Sequence, residues 1–300
     1  RIEHLMGEQT INKTFDRTLV RTRLSNALKS DEYPDFLHRR AAEDIVDRLG
    51  LILREFEKVV VVADKPDDLA LQLYATGSFG HIVMARTAGT HAADIVCDDE
   101  FFPFADNSLD CVISLFSLHH VNDLPGALIQ IARALKPDGL FMAALLGGTT
   151  LNELRHAWLA AESELEGSVS LRVAPFADIR DMGGLLQRAG FALPVVDTDP
   201  VTVTYADALS AMREIKQMGL SNALRQRSTR PTKRQTLVHA CAAYENEFAT
   251  DDGRIPATFD IFYLTGWSPH ESQQQPLRPG SAKARLADAL STKEFPLKSD

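Results

Sequence analysis

The turn after the chain's most apolar segment contains no glycine. Lys58-Val59-Val60-Val61-Val62-Ala63-Asp64-Lys65-Pro66-Asp67-Asp68 reads as a buried strand running into a helix. Where such a turn cradles a nucleotide-type ligand, glycines let the ligand approach the backbone. Here the turn offers Ala63, Lys65 and Asp67 instead. Cysteine is scarce as well. Cys97, Cys111 and Cys241 are too few and too scattered for a disulfide framework or a zinc site. Each sits in an apolar or helical context and reads as a small buried hydrophobe; a reducing cytoplasm fits that usage. No run of about 18 apolar residues occurs, so no helical membrane span is expected. Positive charge is in deficit: the net charge of −9 makes nucleic acid a poor partner, despite local clusters at Arg225 to Arg230 and at Lys233-Arg234. The N-terminus carries no apolar signal core. The chain opens on Arg1 rather than Met, which leaves a trimmed presequence open.

What is present is ordinary for a globular protein: 300 residues, 45% hydrophobic and 24% charged. Residues 1–50 read as an N-terminal helical segment, with an amphipathic helix over 36–50. Strands are expected at Val59–Ala63, His81–Ala85, Asp94–Cys97, Asp110–Leu115, Leu140–Leu146, Val195–Tyr205 and Thr258–Trp267. Between them lie helical patterns at Asp67–Tyr74, Leu124–Leu135, Leu151–Leu165, Phe176–Ala189, 206–218 and 233–249. Such alternation implies parallel β-α units with right-handed crossovers. The expected organisation is one α/β domain over 1–300. Its sheet core spans 58–267, a helical cover spans 206–249, and a Gln-, Pro- and Ser-rich tail spans 268–300. The Tyr205, Met212 and Met218 face reads as core.

Residues 94–147 carry an ordered set of motifs: Asp98-Asp99-Glu100, Phe102-Pro103-Phe104-Ala105-Asp106, Val112-Ile113-Ser114-Leu115, His119-His120-Val121-Asn122-Asp123 and Leu135-Lys136-Pro137-Asp138-Gly139. This set resembles class I S-adenosylmethionine (SAM)-dependent methyltransferases. Further anchors lie at Phe15-Asp16-Arg17, Gly147-Gly148-Thr149-Thr150-Leu151, Val196-Asp197-Thr198-Asp199, Met218-Gly219-Leu220-Ser221-Asn222 and Gly266-Trp267-Ser268-Pro269-His270. With them the chain is similar, over nearly its whole length, to the methyltransferase-fold assembly factors of respiratory complex I, one of which is held to hydroxylate an arginine. The malonyl-carrier methyltransferases of biotin synthesis resemble it more distantly. The resemblance implies a class I, Rossmann-like, seven-stranded and mostly parallel sheet whose last strand is antiparallel, with the N-terminal helices and those of 206–249 covering the pocket mouth. It implies SAM as cofactor and a complex I subunit or assembly intermediate as partner, in a bacterial cytoplasm or a mitochondrial matrix. Its cofactor positions fall on Ala63, Asp64, Lys65, Asp67, Arg86, Asp98, Asp99, Ser114, Leu115 and Phe116.

Ala63, Lys65, Asp67 and Arg86 depart from the family pattern. The glycine turn is replaced, and Arg86 stands where an acid would hold the ribose hydroxyls. Arginine cannot accept those hydrogen bonds, although it can bind a phosphate or carboxylate. Asp64 to Asp68 also reads as a helix N-terminus capped by its acids. His119 and His120 read as hydrogen-bonded structural residues more readily than as an acid/base pair, and no catalytic residue stands out. The acids at 98–100 lack a histidine at metal-ligand spacing, so no metal is expected. Three functions stay open: a SAM-dependent enzyme, a non-catalytic scaffold of the same fold, and an enzyme for an anionic ligand read by Arg86.

Overall fold

The computed structural model describes residues 13–65, 67–88, 94–274 and 292, with the side chains of residues 67 and 68 outside that description. Expectations for residues 1–12, for Pro66 and for most of the tail fall outside it. Two units are distinguished, Arg1–Pro269 and His270–Asp300; the fold below is that of the first.

Seven strands are present among the described residues: β1 (Phe56–Ala63), β2 (Phe79–Arg86), β3 (Ile95–Val96), β4 (Leu109–Leu115), β5 (Leu135–Gly147), β6 (Ala192–Tyr205) and β7 (Ile255–Trp267). They form one sheet in the order β3-β2-β1-β4-β5-β7-β6. β1 lies centrally and runs parallel to both neighbours, with Val61 beside Met84 of β2 and beside Ile113 of β4. β7 is antiparallel to β5 and to β6, as the resemblance implies. The class I methyltransferase architecture is therefore present.

The valine run explains why β1 sits in the middle. Successive side chains of a strand point to opposite faces. Val59 and Val61 enter one core layer with Ile113, Met142 and Phe259. Val60 and Val62 enter the other with Val112, Phe141 and Leu264. A strand apolar on both faces can be buried only between two layers of helices. The first layer holds α2 (Phe36–Gly50), α3 (Asp67–Thr76), α5 (Asn152–Leu165), α7 (Ala208–Gln217) and α8 (Arg234–Phe248). The second holds α4 (Leu124–Ala134) and α6 (Ile179–Arg188).

Local chemistry sets the element ends. Asp123 accepts a hydrogen bond from the Gly126 amide at 2.8 Å and caps α4, with Pro125 in its first turn. Asp178 and Asp207 cap α6 and α7 in the same way. Two family-like motifs prove to be ties between elements. Asp197 and Asp199 on β6 pair with Arg48 and Arg40 of α2. In the turn after β5, Asp260 of β7 accepts from the Thr149 amide at 2.6 Å and from its hydroxyl at 2.7 Å.

The N-terminal segment closes over the ends of β4 and β5. Its helix α1 (Arg17–Leu28) is capped by Asp16, which accepts from the Leu19 amide at 3.1 Å. Just before it, Phe15 forms a bridge with Leu224, and Asp16 donates its amide to the Ala223 carbonyl at 2.9 Å. Gly219 lets α1 come close: its φ is +78°, and a Cβ there would lie 3.1 Å from the Leu24 Cα.

Gly147 ends β5 against the Phe262 ring, and an added Cβ would run into that ring. The Gly147→Ala variant should therefore lose about 1–3 kcal/mol of unfolding free energy as the core shifts to accept it. Urea titration checks this; an unchanged midpoint would show that the ring moves freely.

Candidate functional site

The turn after β1 is filled by its own side chains. The Asp64 carboxylate accepts from the amides of Thr87 (2.9 Å) and Ala88 (2.7 Å) and from the Thr87 hydroxyl (2.6 Å). The sequence suggested a helix cap here, whereas the described bonds of the Asp64 carboxylate go to the segment after β2. Asp64 thereby ties the turn to that segment and is 5% exposed. Arg86, also 5% exposed, donates to the Asp64 carbonyl at 3.4 Å. Ala63 is fully buried. The Lys65 ammonium lies 5.9 Å from the centre of the Tyr33 ring. α3 begins at Asp67, whose side chain is outside the description.

The acids after β3 are engaged by α1. Arg17 reaches Asp98 at 2.7 Å, Asp99 at 3.2 Å and Glu100 at 3.9 Å, and also donates to the His120 carbonyl at 3.2 Å. Arg21 forms a second bond to Asp98. Asp98, one of the implied cofactor positions, is thus held by two guanidinium groups. Asp99 is 4% exposed, and burial pushes its carboxyl up to about 6 despite Arg17. Among the described residues no cluster of three or more His, Cys, Asp or Glu side chains is placed to hold a metal ion.

At the end of β4 the buried Ser114 hydroxyl lies 2.8 Å from that of Ser117. Leu115 and Phe116 line a cavity of about 40 Å³, together with Tyr33, His38, Asp64 and His119. Such a space admits a few water molecules, each needing at least about 10–15 Å³. Burial lowers His38 and His120 to about 4 and holds His119 well below its ordinary value, so all three rings are neutral near pH 7. His38 packs edge-on to Phe116, and His120 edge-on to Phe15. Neither ring nitrogen of His119 has a hydrogen-bond partner among the described residues, whereas the sequence suggested a satisfied histidine.

S-adenosylmethionine fits these residues poorly. The turn lacks the glycines that admit its carboxylate, and Arg86 offers no acceptor for ribose hydroxyls. Asp98 is already paired, and pockets for ligands of this class run to about 300–1,000 Å³. Of the ten positions, Asp64, Leu115 and Phe116 line the same cavity; Ala63, Arg86 and Ser114 are buried beside it.

A larger cavity of about 210 Å³ adjoins the first across His120, Leu146 and Leu220. α5 contributes Leu154 and Trp158, its N-cap residue Leu151 adds to them, α7 contributes Met212 and Ile215, and the following loop contributes Ser221 to Ala223. α8 was expected to cover the mouth. No described α8 residue lines either cavity; its buried residues join the core layer that α5 occupies. Met218 lies in the core cluster and Met212 packs against it, as read, and each also lines one of the cavities. Apolar spacing cannot tell a packed wall from an open one. The signal available was the Met218-Gly219-Leu220-Ser221-Asn222 loop after α7.

A methyltransferase-domain family profile matches residues 74–143. The match opens beyond the glycine-free turn. The arginine-hydroxylase NDUFAF5 of Danio rerio, a mitochondrial protein, is 37% identical over 286 residues, covering 91% of this chain and 88% of its own. The Homo sapiens protein of that name is 38% identical over 291 residues, covering 93% and 84%. A malonyl-[acyl-carrier protein] O-methyltransferase of Laribacter hongkongensis is 37% identical over 196 residues, covering 65% and 63%. Among solved structures, the YcgJ protein of Bacillus subtilis superposes with a TM-score of 0.51 at 15% identity, covering 78% of this chain and all of that one. That likeness speaks for the fold alone.

The buried histidines make stability depend on pH. An unfolded histidine titrates near 6.5. Between there and about 4 the unfolded chain takes up protons that the folded chain refuses, so stability falls as pH drops. Asp99 works in the opposite sense: its contribution grows as pH falls through about 6 and is lost as pH rises. With three histidines against one carboxyl, the urea midpoint should fall from pH 7 to pH 5. His120→Phe should reduce that fall and Asp99→Asn should deepen it. Equal slopes in wild type and His120→Phe would contradict the assignment.

Proposed function

This chain belongs to the methyltransferase-fold family of the arginine-hydroxylase NDUFAF5 proteins, and from that premise we propose that it serves the assembly of respiratory complex I through protein contacts, without using S-adenosylmethionine. The observation that carries the cofactor half of this reading is the state of the cleft. Asp64 bonds the segment after β2, Arg86 is packed behind it, and Arg17 and Arg21 occupy Asp98. A cofactor would have to break these bonds between buried groups before making its own, and each buried polar group left unpaired costs about 1–3 kcal/mol. The anionic-ligand reading draws little support, because the Arg86 guanidinium is shielded from solvent and directed at the Asp64 carbonyl. The assembly half rests on family membership over nearly the whole chain.

A competing reading, an enzyme with a reworked loop, is favoured by the activity in the relatives' name. Calorimetry on the purified chain separates the two. Under the proposed reading SAM gives no isotherm tighter than about 100 μM, that is, less than about 5.5 kcal/mol of binding. A low-micromolar isotherm would favour the enzyme. The assembly role is read separately: cells lacking the chain should accumulate incomplete complex I, and pull-down should recover a complex I subunit. Normal complex I in such cells would remove that role.

A further inference from the structure

The cavity of about 210 Å³ beyond His120 is not absorbed by either reading. Its floor is Leu146, at the end of β5. That is the edge of an open α/β sheet where ligands enter, outside the carboxyl ends of the strands. Its walls are apolar and partly aromatic: Leu154 and Trp158 on α5, Phe176, and Met212 on α7. An engineered apolar cavity of about 150 Å³ takes up benzene, so this space suffices for a substituted ring.

The polar groups around the cavity sort into two kinds. Most are already committed. Arg172 donates to Glu162 at 2.6 Å and to the Thr232 hydroxyl at 2.9 Å, and its guanidinium lies over Trp158, 4.8 Å from the ring centre. Asn222 donates to the Leu171 carbonyl at 2.6 Å and accepts from the Leu224 amide at 3.0 Å. None of these offers a new ligand a charge. Two groups remain uncommitted. The Ser221 hydroxyl and the His120 ring nitrogens, which also line the space, make no hydrogen bond with a described residue. Both residues are half-buried, and a hydroxyl or imidazole that lines a cavity without a protein partner is free to bond a molecule that enters.

We propose that this cavity is a binding site for a small, neutral aromatic molecule carrying one hydrogen-bonding substituent, of the size and polarity of a substituted phenol. The ring packs between Trp158 and Met212, and sulfur–aromatic and ring–ring contacts favour it over an aliphatic chain of equal volume. The substituent bonds Ser221 or His120. A carboxylate or an ammonium is disfavoured, because nothing uncommitted on the walls neutralises it. The site needs no cofactor, so it holds whether or not the cleft beside Asp64 binds SAM.

The test uses the purified full chain and 4-methylphenol as probe, followed by calorimetry and by the melting temperature. One saturable site with Kd below about 1 mM is expected, with a rise in melting temperature as the probe is added. Met212→Trp fills the space from α7. It should weaken the probe at least tenfold, about 1.4 kcal/mol, while raising the melting temperature of the free protein. Ser221→Ala should weaken the probe about threefold, with the melting temperature unchanged. Where Met212→Trp does not fold, Leu154→Phe fills the same space from α5 and is read in the same way. Absence of saturable binding by wild type, or binding that survives in a folded, filled variant, would overturn the proposal.

Discussion

The placement of α1 depends on Arg17. One guanidinium joins α1 to three consecutive acids after β3 and to the carbonyl of His120. Its side chain is 12% exposed and that of Asp99 is 2% exposed, so water offers neither group much alternative. Removing one partner of so buried a pair generally costs about 3–5 kcal/mol, chiefly through the charge left behind. The position of α1 over the small cavity follows. Arg17 lowers the basicity of His119 and His120 by its charge, after burial has lowered it further. Burial first, and the fixed charge of Arg17 second, keep His120 a neutral ring packed edge-on to Phe15.

The same contact bears on the cofactor. Asp98 stands where the family resemblance asks for it, directly after β3, but a residue's position does not say what it is bonded to. The acids that would face a ligand in a methyltransferase face two arginines of the same chain. At the other end of the cleft Asp64 has turned to the Thr87 and Ala88 amides. The glycine-free turn, the inverted charge at Arg86 and the paired Asp98 are consistent with one another. Each removes a different part of the cofactor's environment, while the sheet beneath keeps its order.

The fold was readable because it rests on periodicity. Val59 to Val62 alternate between two apolar layers, and the stripe Leu124, Leu128, Ile131 faces one of them. Such patterns are local, and they named every strand to within a few residues. The site was less readable, since its contacts join residues far apart in the chain. Nothing near Asp64 announces Thr87 as its partner, and nothing in Phe15-Asp16-Arg17 announces Asp98. The sequence made Asp64 a helix cap because short-range capping is the commonest use of an aspartate in that position. A competing hydrogen-bond site 23 residues away took the carboxylate instead. Cavities are harder still, since Met212 and Leu154 have the same spacing whether they face a neighbour or a void.

The bridge between Phe15 and Leu224 has a consequence for how the molecule is made. Arg225 reaches back across 210 residues to the Phe15 carbonyl, and Arg23 reaches forward across 198 to Ser221. A ribosome delivers the N-terminal helix first, at about 5–20 residues per second. Its docking strand emerges roughly ten seconds or more later at that pace. In the interval the half-built sheet exposes the ends of β4 and β5, and the helix has nothing to hold. A segment that locks late is thus made about 200 residues before its docking partner, and a nascent-chain chaperone would find a long opportunity there.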